Sequence, residues 1–573
     1  MTRSGFADRQ SKDLQTTTGG ARPRFRLETL IVLAVGFLLG GAAHGEEHAS
    51  LTVLFTSDIH AHVLPFDDIR EQPVDGSLAQ VATLVSRVRA ASPRTIVLDG
   101  GDAIQGTPLG YYAIVAAGAS GEDPTIAAMN LVGYDAAVVG NHEFNFGLAV
   151  LRRSLSQSKF PWLAANLSGV GPAGLPVRDE LVIERGGVRV GILGLTNPNV
   201  PHWEEAAHWT GLSFRDPVTV ASERLARLRA RADVVIVVVH SGFERDLGNG
   251  EANDTDSENF ASRLAQLPGI DLLLTGHTHR NIPPRALGKT VVAQPGKWAT
   301  LVTRVDLDLE RTPAGWRVAS WHGTNLPTAG ESPDPRVIAA VAAAEQRTSA
   351  ELSRPIGTLT APLVVHPLPL QDDPGVDLIH AVQLEASGAQ LSLAAPLGMS
   401  TVEFPAGRVT PRLVHALYPY ENTLVEVRLS GSEVKDVLEH AMRGWTGLDC
   451  TQPSGCALRR DPRVPSYNFD TLEGATYLVD PAAPIGQRVR GLRFAGAPIQ
   501  PAYVFTVAVN SYRATGGGGF PHLAAAPRVK EIDRPMVDLI VAYLARHATI
   551  TPTSDDNWAF MMRVHEPLDA GPK

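Results

Sequence analysis

RTIVLDGGDAIQG, residues 94–106, decides the fold. Thr95 to Leu98 is an aliphatic and β-branched run with no polar alternation, and it stops abruptly at Asp-Gly-Gly-Asp. A strand with one wet face alternates apolar and polar residues. A run that is apolar throughout is buried on both faces, as in a sheet covered by helices. The same design recurs in LTVLFTSDIHAH (51–62), YDAAVVGNHEFNFG (134–147), ADVVIVVVHSG (232–242) and IDLLLTGHTH (270–279). Between these runs lie amphipathic stretches such as SLAQVATLVSRVRAA (77–91) and PVTVASERLARLRARA (217–232). The pattern predicts a layered α/β domain over residues 50–330.

The chain has 573 residues, too many for one hydrophobic core, so two large domains are expected. A hydrophobic content of 44% with 19% charged residues excludes a disordered chain. After the first domain, DPRVIAAVAAAEQRTSAELS (334–353) has helical spacing and no strand signal, and reads as a linking helix. Residues 355–565 then mix helical stretches such as SGSEVKDVLEHAM with strands such as NTLVEVRLS, which predicts an α+β second domain.

The net charge is −9, and the first 45 residues are basic, so the body is more acidic still. That argues against polymeric nucleic acid as a partner. Small phosphorylated ligands remain open if a metal supplies positive charge. RPRFRLETLIVLAVGFLLGGAAHGEE (22–47) has the basic, apolar and small-residue zones of a signal peptide, with cleavage fitting after Ala43 or Gly45. Residues 1–45 are therefore expected to direct export, giving a periplasmic or secreted protein with no stable membrane association after cleavage. The alternative is an uncleaved anchor, although the apolar run is shorter than the roughly 20 residues that span a bilayer. The only cysteines, Cys450 and Cys456, can close a short-loop disulfide in an exported protein.

The chemistry is concentrated where the strands stop. Asp58 and His60 follow the first run, Asp102 the second, and Asn141 and His142 the third; His240 follows the fourth, and His277 and His279 the fifth. One His after a strand has a bland reading, as a hydrogen-bonded surface or core residue. Five strand ends carrying such residues are different, because ligands of layered α/β sheets bind outside the carboxyl ends of strands. Imidazole with carboxylate suits Mn, Zn, Co or Fe. Leaving His142 aside, seven donors exceed what one ion holds, which indicates two divalent ions sharing a carboxylate.

Taken in order, D-x-H, G-G-D, G-N-H-E, H-S-G and G-H-T-H resemble the signature of the calcineurin-like metallophosphoesterases. The resemblance implies that Asp58, His60, Asp102 and His279 hold one ion and Asp102, Asn141, His240 and His277 the other, with Asp102 bridging. It also implies an α/β sandwich for the catalytic domain and a substrate-binding role for the second. YPYENTL (418–424), YNFDTLEG (467–474) and NSYRATGGGGFP (510–521) resemble the C-terminal domain of secreted 5′-nucleotidases. LQDDPGVDLI (370–379) and the late DDNW (555–558) resemble the bifunctional 2′,3′-cyclic-nucleotide 2′-phosphodiesterase/3′-nucleotidase branch. In the 5′-nucleotidase branch a Gly-rich segment ends in a phosphate-gripping Arg. Here LSLAAPLGMSTVEFPAG (391–407) has none.

The resemblance thus implies hydrolysis of nucleoside 2′,3′-cyclic phosphates and 3′-nucleotides. A 5′-nucleotidase or nucleotide-sugar pyrophosphatase of the same family is the alternative, and a binding protein that kept the fold is a more distant one. His142 would act at the phosphoryl group or leaving oxygen. Asn145 stands where the 5′-nucleotidase branch has an Asp; its amide can accept the imidazole N–H but adds no negative charge. Tyr420 and Tyr512 would clamp the base of a small-molecule nucleotide, and Asn422 would meet its edge.

Overall fold

The computed structural model describes residues 48–116, 121–169, 174–253, 258–368, 370–452 and 455–562. The expected signal peptide lies outside these residues. Five strands carry the site: β1 (His48–Thr56), β2 (Thr95–Asp99), β3 (Ala136–Val138), β4 (Val234–Val239) and β5 (Leu272–Thr275). β1, β2 and β3 run parallel and adjacent in a seven-stranded sheet, and β4 and β5 run parallel and adjacent in a six-stranded one.

The two sheets lie face to face, which explains the absence of alternation. Leu51, Val53 and Phe55 of β1 share one core with Ile236 and Val238 of β4 and with Leu272 and Leu274 of β5. Leu54 and Val97 face the other way, into a core built with the helices Leu78–Ala91 and Pro124–Val132. Val235, Val237 and Leu273 pack under the helix Pro217–Arg229. Each strand therefore buries both faces, at about 1.5–3 kcal/mol per large side chain. A polar residue inside such a strand needs a partner, as Thr52 finds in Asp306 at 2.6 Å, and the charged residues stand at the strand ends. The layer order is helix, sheet, sheet, helix.

The covering helices begin as their sequences dictate. Ser77 accepts from Gln80 N at the first, and Asp216 accepts from Thr219 N with Pro217 at the next position. Pro335–Leu352 is an 18-residue helix capped by Asp334. Its Val337, Val341 and Ala344, spaced by four and three residues, join the core beneath the first sheet.

The second half of the chain is α+β. A mixed five-stranded sheet orders Thr471–Glu473, Leu391–Ala394, Val504–Asn510, Leu424–Ser430 and Arg528–Ile532. The helices Pro374–Ser387, Gly431–Ala441 and Met536–His547 pack on it. Cys450 and Cys456 are disulfide-bonded across the hairpin Trp445–Gln452 and Gly455–Arg460. No helix of the described residues is long and apolar enough to cross a membrane.

Candidate active site

The carboxyl ends of β1 to β5 meet at one edge of the sandwich. Asp58 accepts from His277 N at 3.0 and 3.1 Å, which ties the first strand end to the fifth. Asp102 Oδ2 lies 3.0 Å from His240 Nε2, and Asp102 Oδ1 accepts from His142 N at 2.8 Å. The donors sort into two groups, Asp58 with His60 and His279, and Asp102 with His240 and His277, each with ligand atoms within 4.8 Å of one another. Asn141 Oδ1 joins the second group, 3.1 Å from His240 Nε2 and 3.0 Å from His277 Nδ1.

The backbone is strained where these side chains converge. Asp58, His60, Asp102, His277 and His279 all have φ between 51° and 69°, a left-handed region that residues with a Cβ seldom occupy. The chain must turn sharply out of each strand to aim these side chains back across the sheet edge. Gly140 is forced by the same crowding, since a Cβ there would sit 2.3 Å from Asp102 Oδ1. Gly140→Ala is expected to displace that carboxylate and weaken metal binding about 10–100-fold, the usual cost of disturbing a ligand's support. Metal titration of the purified variant reads this directly.

The tautomers show what the donors face. His240 Nδ1 donates to the Gly100 carbonyl at 2.7 Å, because a carbonyl only accepts. In the neutral ring Nε2 is then a bare lone pair, pointing at the oxygens of Asp102 and Asn141. His60 Nδ1 likewise lies 3.1 Å from the Gln105 carbonyl, and its Nε2 faces His279 Nε2 at 3.0 Å. Glu258 lies 3.7 Å from His277 Nε2 and favours the lone pair on Nδ1, the atom aimed at Asn141. With neutral rings, lone pairs converge on lone pairs, an arrangement that a cation between them satisfies. The donor set fits two divalent ions of the kind that accept nitrogen and oxygen together.

Glu143, which the sequence reading passed over, holds the arrangement from below. It is fully buried, accepting from Gly140 N at 2.7 Å, Asp102 N at 2.9 Å and Ala103 N at 2.6 Å. Burial and the neighbouring Asp102 push it up to about 7, while the Ala103 and Asp102 N–H groups favour its anion. An acid placed directly after the His at an apolar strand end was the available signal.

His142 opens a short 3₁₀ turn, His142–Phe144, in which residues three apart eclipse. Asn145 Oδ1 therefore meets His142 Nδ1 at 2.6 Å. The amide hands the contact on: Asn145 Nδ2 donates to Glu204 Oε1 at 2.5 Å, and Glu204 Oε2 lies 2.9 Å from His208 Nδ1. Asn145 carries no charge, but a carboxylate stands one residue behind it. Burial lowers the His142 pKa, yet Asp102, Asn145, Glu204 and Glu421 together leave it raised.

A cleft of about 700 Å³ opens over the donors. Its floor includes His60, Asp102, Asn141, His142, Asn145, His277 and His279, while Asp58 and His240 lie beneath, fully buried. Tyr420, Asn422 and Tyr512 line the opposite wall. Glu421 accepts from Gln105 Nε2 at 2.7 Å and so joins the two walls. Asn422 donates to the Tyr418 hydroxyl at 3.3 Å.

Tyr467 meets Tyr512 edge-on at 6.5 Å. Both are positioned by Arg513, which forms a buried bidentate pair with Asp470 and also donates to the Tyr467 and Gly517 carbonyls. Gly517 must lack a side chain, because a Cβ would lie 2.4 Å from the Tyr512 ring. The motifs YNFD and NSYRATGG are thus two halves of one structure. Tyr467 was missed as a wall residue because nothing in its local sequence marks it as facing a ligand.

Residues 51–281 match the calcineurin-like phosphoesterases, and residues 355–525 match the 5′-nucleotidase C-terminal domain. The chain therefore carries a calcineurin-like phosphoesterase domain. It is a metallophosphoesterase in which that catalytic domain precedes a 5′-nucleotidase C-terminal domain. It is 29% identical, over 94% of its length and 93% of the relative's, to a 2′,3′-cyclic-nucleotide 2′-phosphodiesterase/3′-nucleotidase of Yersinia enterocolitica. It is also 29% identical, over 90% of its length, to a trifunctional nucleotide phosphoesterase of Bacillus subtilis, of which it spans 39%. Among solved structures, a Staphylococcus aureus protein described as a 5′-nucleotidase superposes with a TM-score of 0.78 at 26% identity, over 89% of this chain and all of the other.

Proposed function

We propose that this phosphoesterase is an exported, periplasmic or secreted hydrolase that opens nucleoside 2′,3′-cyclic phosphates to 3′-nucleotides and removes phosphate from the latter. The observation that carries this reading is the shared cleft, with two groups of metal-type donors on one wall and Tyr420 and Tyr512 on the other. The 3′ preference rests on Leu397 and Met399, which line the cleft from the segment where the 5′-nucleotidase branch has its Arg. The Yersinia relative's name points the same way.

Asp58, His60 and His279 would hold one ion, and Asn141, His240 and His277 the other, with Asp102 shared; Mn, Zn, Co and Fe all suit these donors. The ions, when bound, supply the Lewis acidity that makes water a nucleophile near neutral pH. His142 does the rest of the polar work. Its Nδ1–H is held by Asn145, which leaves Nε2 as the atom available to the substrate. A protonated Nε2 donates to the phosphoryl or leaving oxygen as the P–O bond breaks. Cleavage of P–O2′ in a cyclic substrate leaves a 3′-phosphate, and the 2′ oxygen takes the proton.

A metal-loaded sample assayed on 2′,3′-cyclic AMP, 3′-AMP and 5′-AMP tests the reading. The first two are expected to turn over with higher kcat/KM than 5′-AMP. A preference for 5′-AMP would move the protein to the 5′-nucleotidase alternative.

Base stacking on an aromatic is worth roughly 1–3 kcal/mol and tolerates every base. Tyr420→Ala and Tyr512→Ala should each raise KM for nucleotides about 5–150-fold with little change in metal content. A double variant that binds 3′-AMP as tightly as the parent removes the clamp from the proposal.

A further inference from the structure

Two motifs remain unused by the cleft, LQDDPGVDLI (370–379) and DDNW (555–558), and the fold brings them together. Asp372, Asp377 and Asp555 offer carboxylate oxygens within 4.8 Å of one another. None of the three lines the catalytic cleft. Asp373, between the first two, is accounted for: it caps the helix Pro374–Ser387, accepting from Gly375 N and Val376 N.

Asp372 is different. It is only 6% exposed, and although the Asp556 and Asn557 N–H groups and the Trp558 side chain reach its carboxylate, its Oδ2 meets no donor among the described residues. Asp377 Oδ2 is likewise buried without a hydrogen-bond partner among the described residues. A buried carboxylate oxygen left unpaired is costly unless a cation or a donor satisfies it. Among the described residues, Asp372, Asp555, Glu473 and Asp373, all negative, act on Asp377, and Asp555 acts on Asp372. Glu473 is itself held by Asn557 Nδ2 at 2.8 Å, and Asp555 accepts from Asn557 N at 3.0 Å. Asp555 is thus held in place, and the charges facing the group are acid upon acid.

We infer that Asp372, Asp377 and Asp555 form a Ca²⁺ site that fastens the strand Trp558–Phe560 to the rest of the second domain. The donors are all hard oxygens, with no imidazole or thiolate among them, which disfavours the transition ions of the catalytic cleft. Ca²⁺ binds oxygen at about 2.3–2.6 Å in flexible geometry and tolerates an irregular set of carboxylates. Mg²⁺, at about 2.0–2.1 Å, requires a tighter cage. Asp555 lies just before the strand Trp558–Phe560, which pairs with Ala475–Val479 and stacks Trp558 on Tyr477. An ion there ties that strand to the start of the helix Pro374–Ser387 and offsets the repulsion between the carboxylates.

The test uses the full chain, stripped of metal by a chelator, reloaded with Mn²⁺ and titrated with CaCl₂ while Tm and bound Ca²⁺ are measured. One Ca²⁺ per chain and a rise in Tm are expected, with Mg²⁺ much less effective. Asp372→Asn combined with Asp377→Asn should lower Ca²⁺ affinity about tenfold or more and abolish the Tm response, while Mn²⁺ content and nucleotide hydrolysis persist. Should that variant fail to fold, Asp555→Asn, on the exposed side of the group, gives the same readout. No Ca²⁺ binding by the parent, unchanged binding by the variants, or an equal response to Mg²⁺ overturns the assignment.

Discussion

Asp102→Asn is expected to lose both catalytic ions and at least about 10³-fold in kcat/KM, the scale on which electrostatic stabilisation of a phosphoryl transition state operates. The reason lies in what each oxygen of Asp102 touches. Oδ1 accepts from His142 N, and Oδ2 faces His240 Nε2. An Asn can keep the first contact through its own oxygen and donate its amide N–H to His240, which occupies the lone pair meant for metal. The variant should fold, because that exchange leaves no buried group unpaired. Asp58→Asn should weaken mainly one ion, since Asp58 belongs to the other donor group. Metal analysis of the folded proteins checks both, and two ions retained in Asp102→Asn would falsify the shared-carboxylate assignment.

His142→Ala should keep both ions and lose about 10²–10⁴-fold in kcat, the usual contribution of a positioned proton donor. Loss of metal along with activity would make His142 a ligand instead. The contacts behind it sharpen the prediction. Glu204→Gln, which removes a charged acceptor from Asn145, should lower kcat about tenfold with KM nearly unchanged, the equivalent of one charge-assisted hydrogen bond. Asn145→Asp should be damaging in this chain, because it sets a second carboxylate 2.5 Å from Glu204 Oε1. Combining it with Glu204→Gln restores a donor facing a carboxylate and should recover most of the loss. If the double variant is no better than Asn145→Asp alone, the two side chains do not act together.

The sequence by itself determined the layered α/β domain and the donor types at its five strand ends. Burial on both faces removes polar residues from a strand interior, so uniformly apolar runs and their abrupt polar ends are visible without coordinates. The Ala-rich stretch before the second domain was legible as a helix for a related reason, since Val337, Val341 and Ala344 recur at helical spacing. Tertiary structure alone decided which side chains support the donors. Asn145 and Glu204 are 59 positions apart, and Gln105 and Glu421 are 316 apart. Local periodicity carries no information about such pairs. The left-handed backbone at Asp58, His60, Asp102, His277 and His279 was equally invisible. Propensity disfavours that conformation for these residues, and it persists only because contacts across two packed sheets hold it in place.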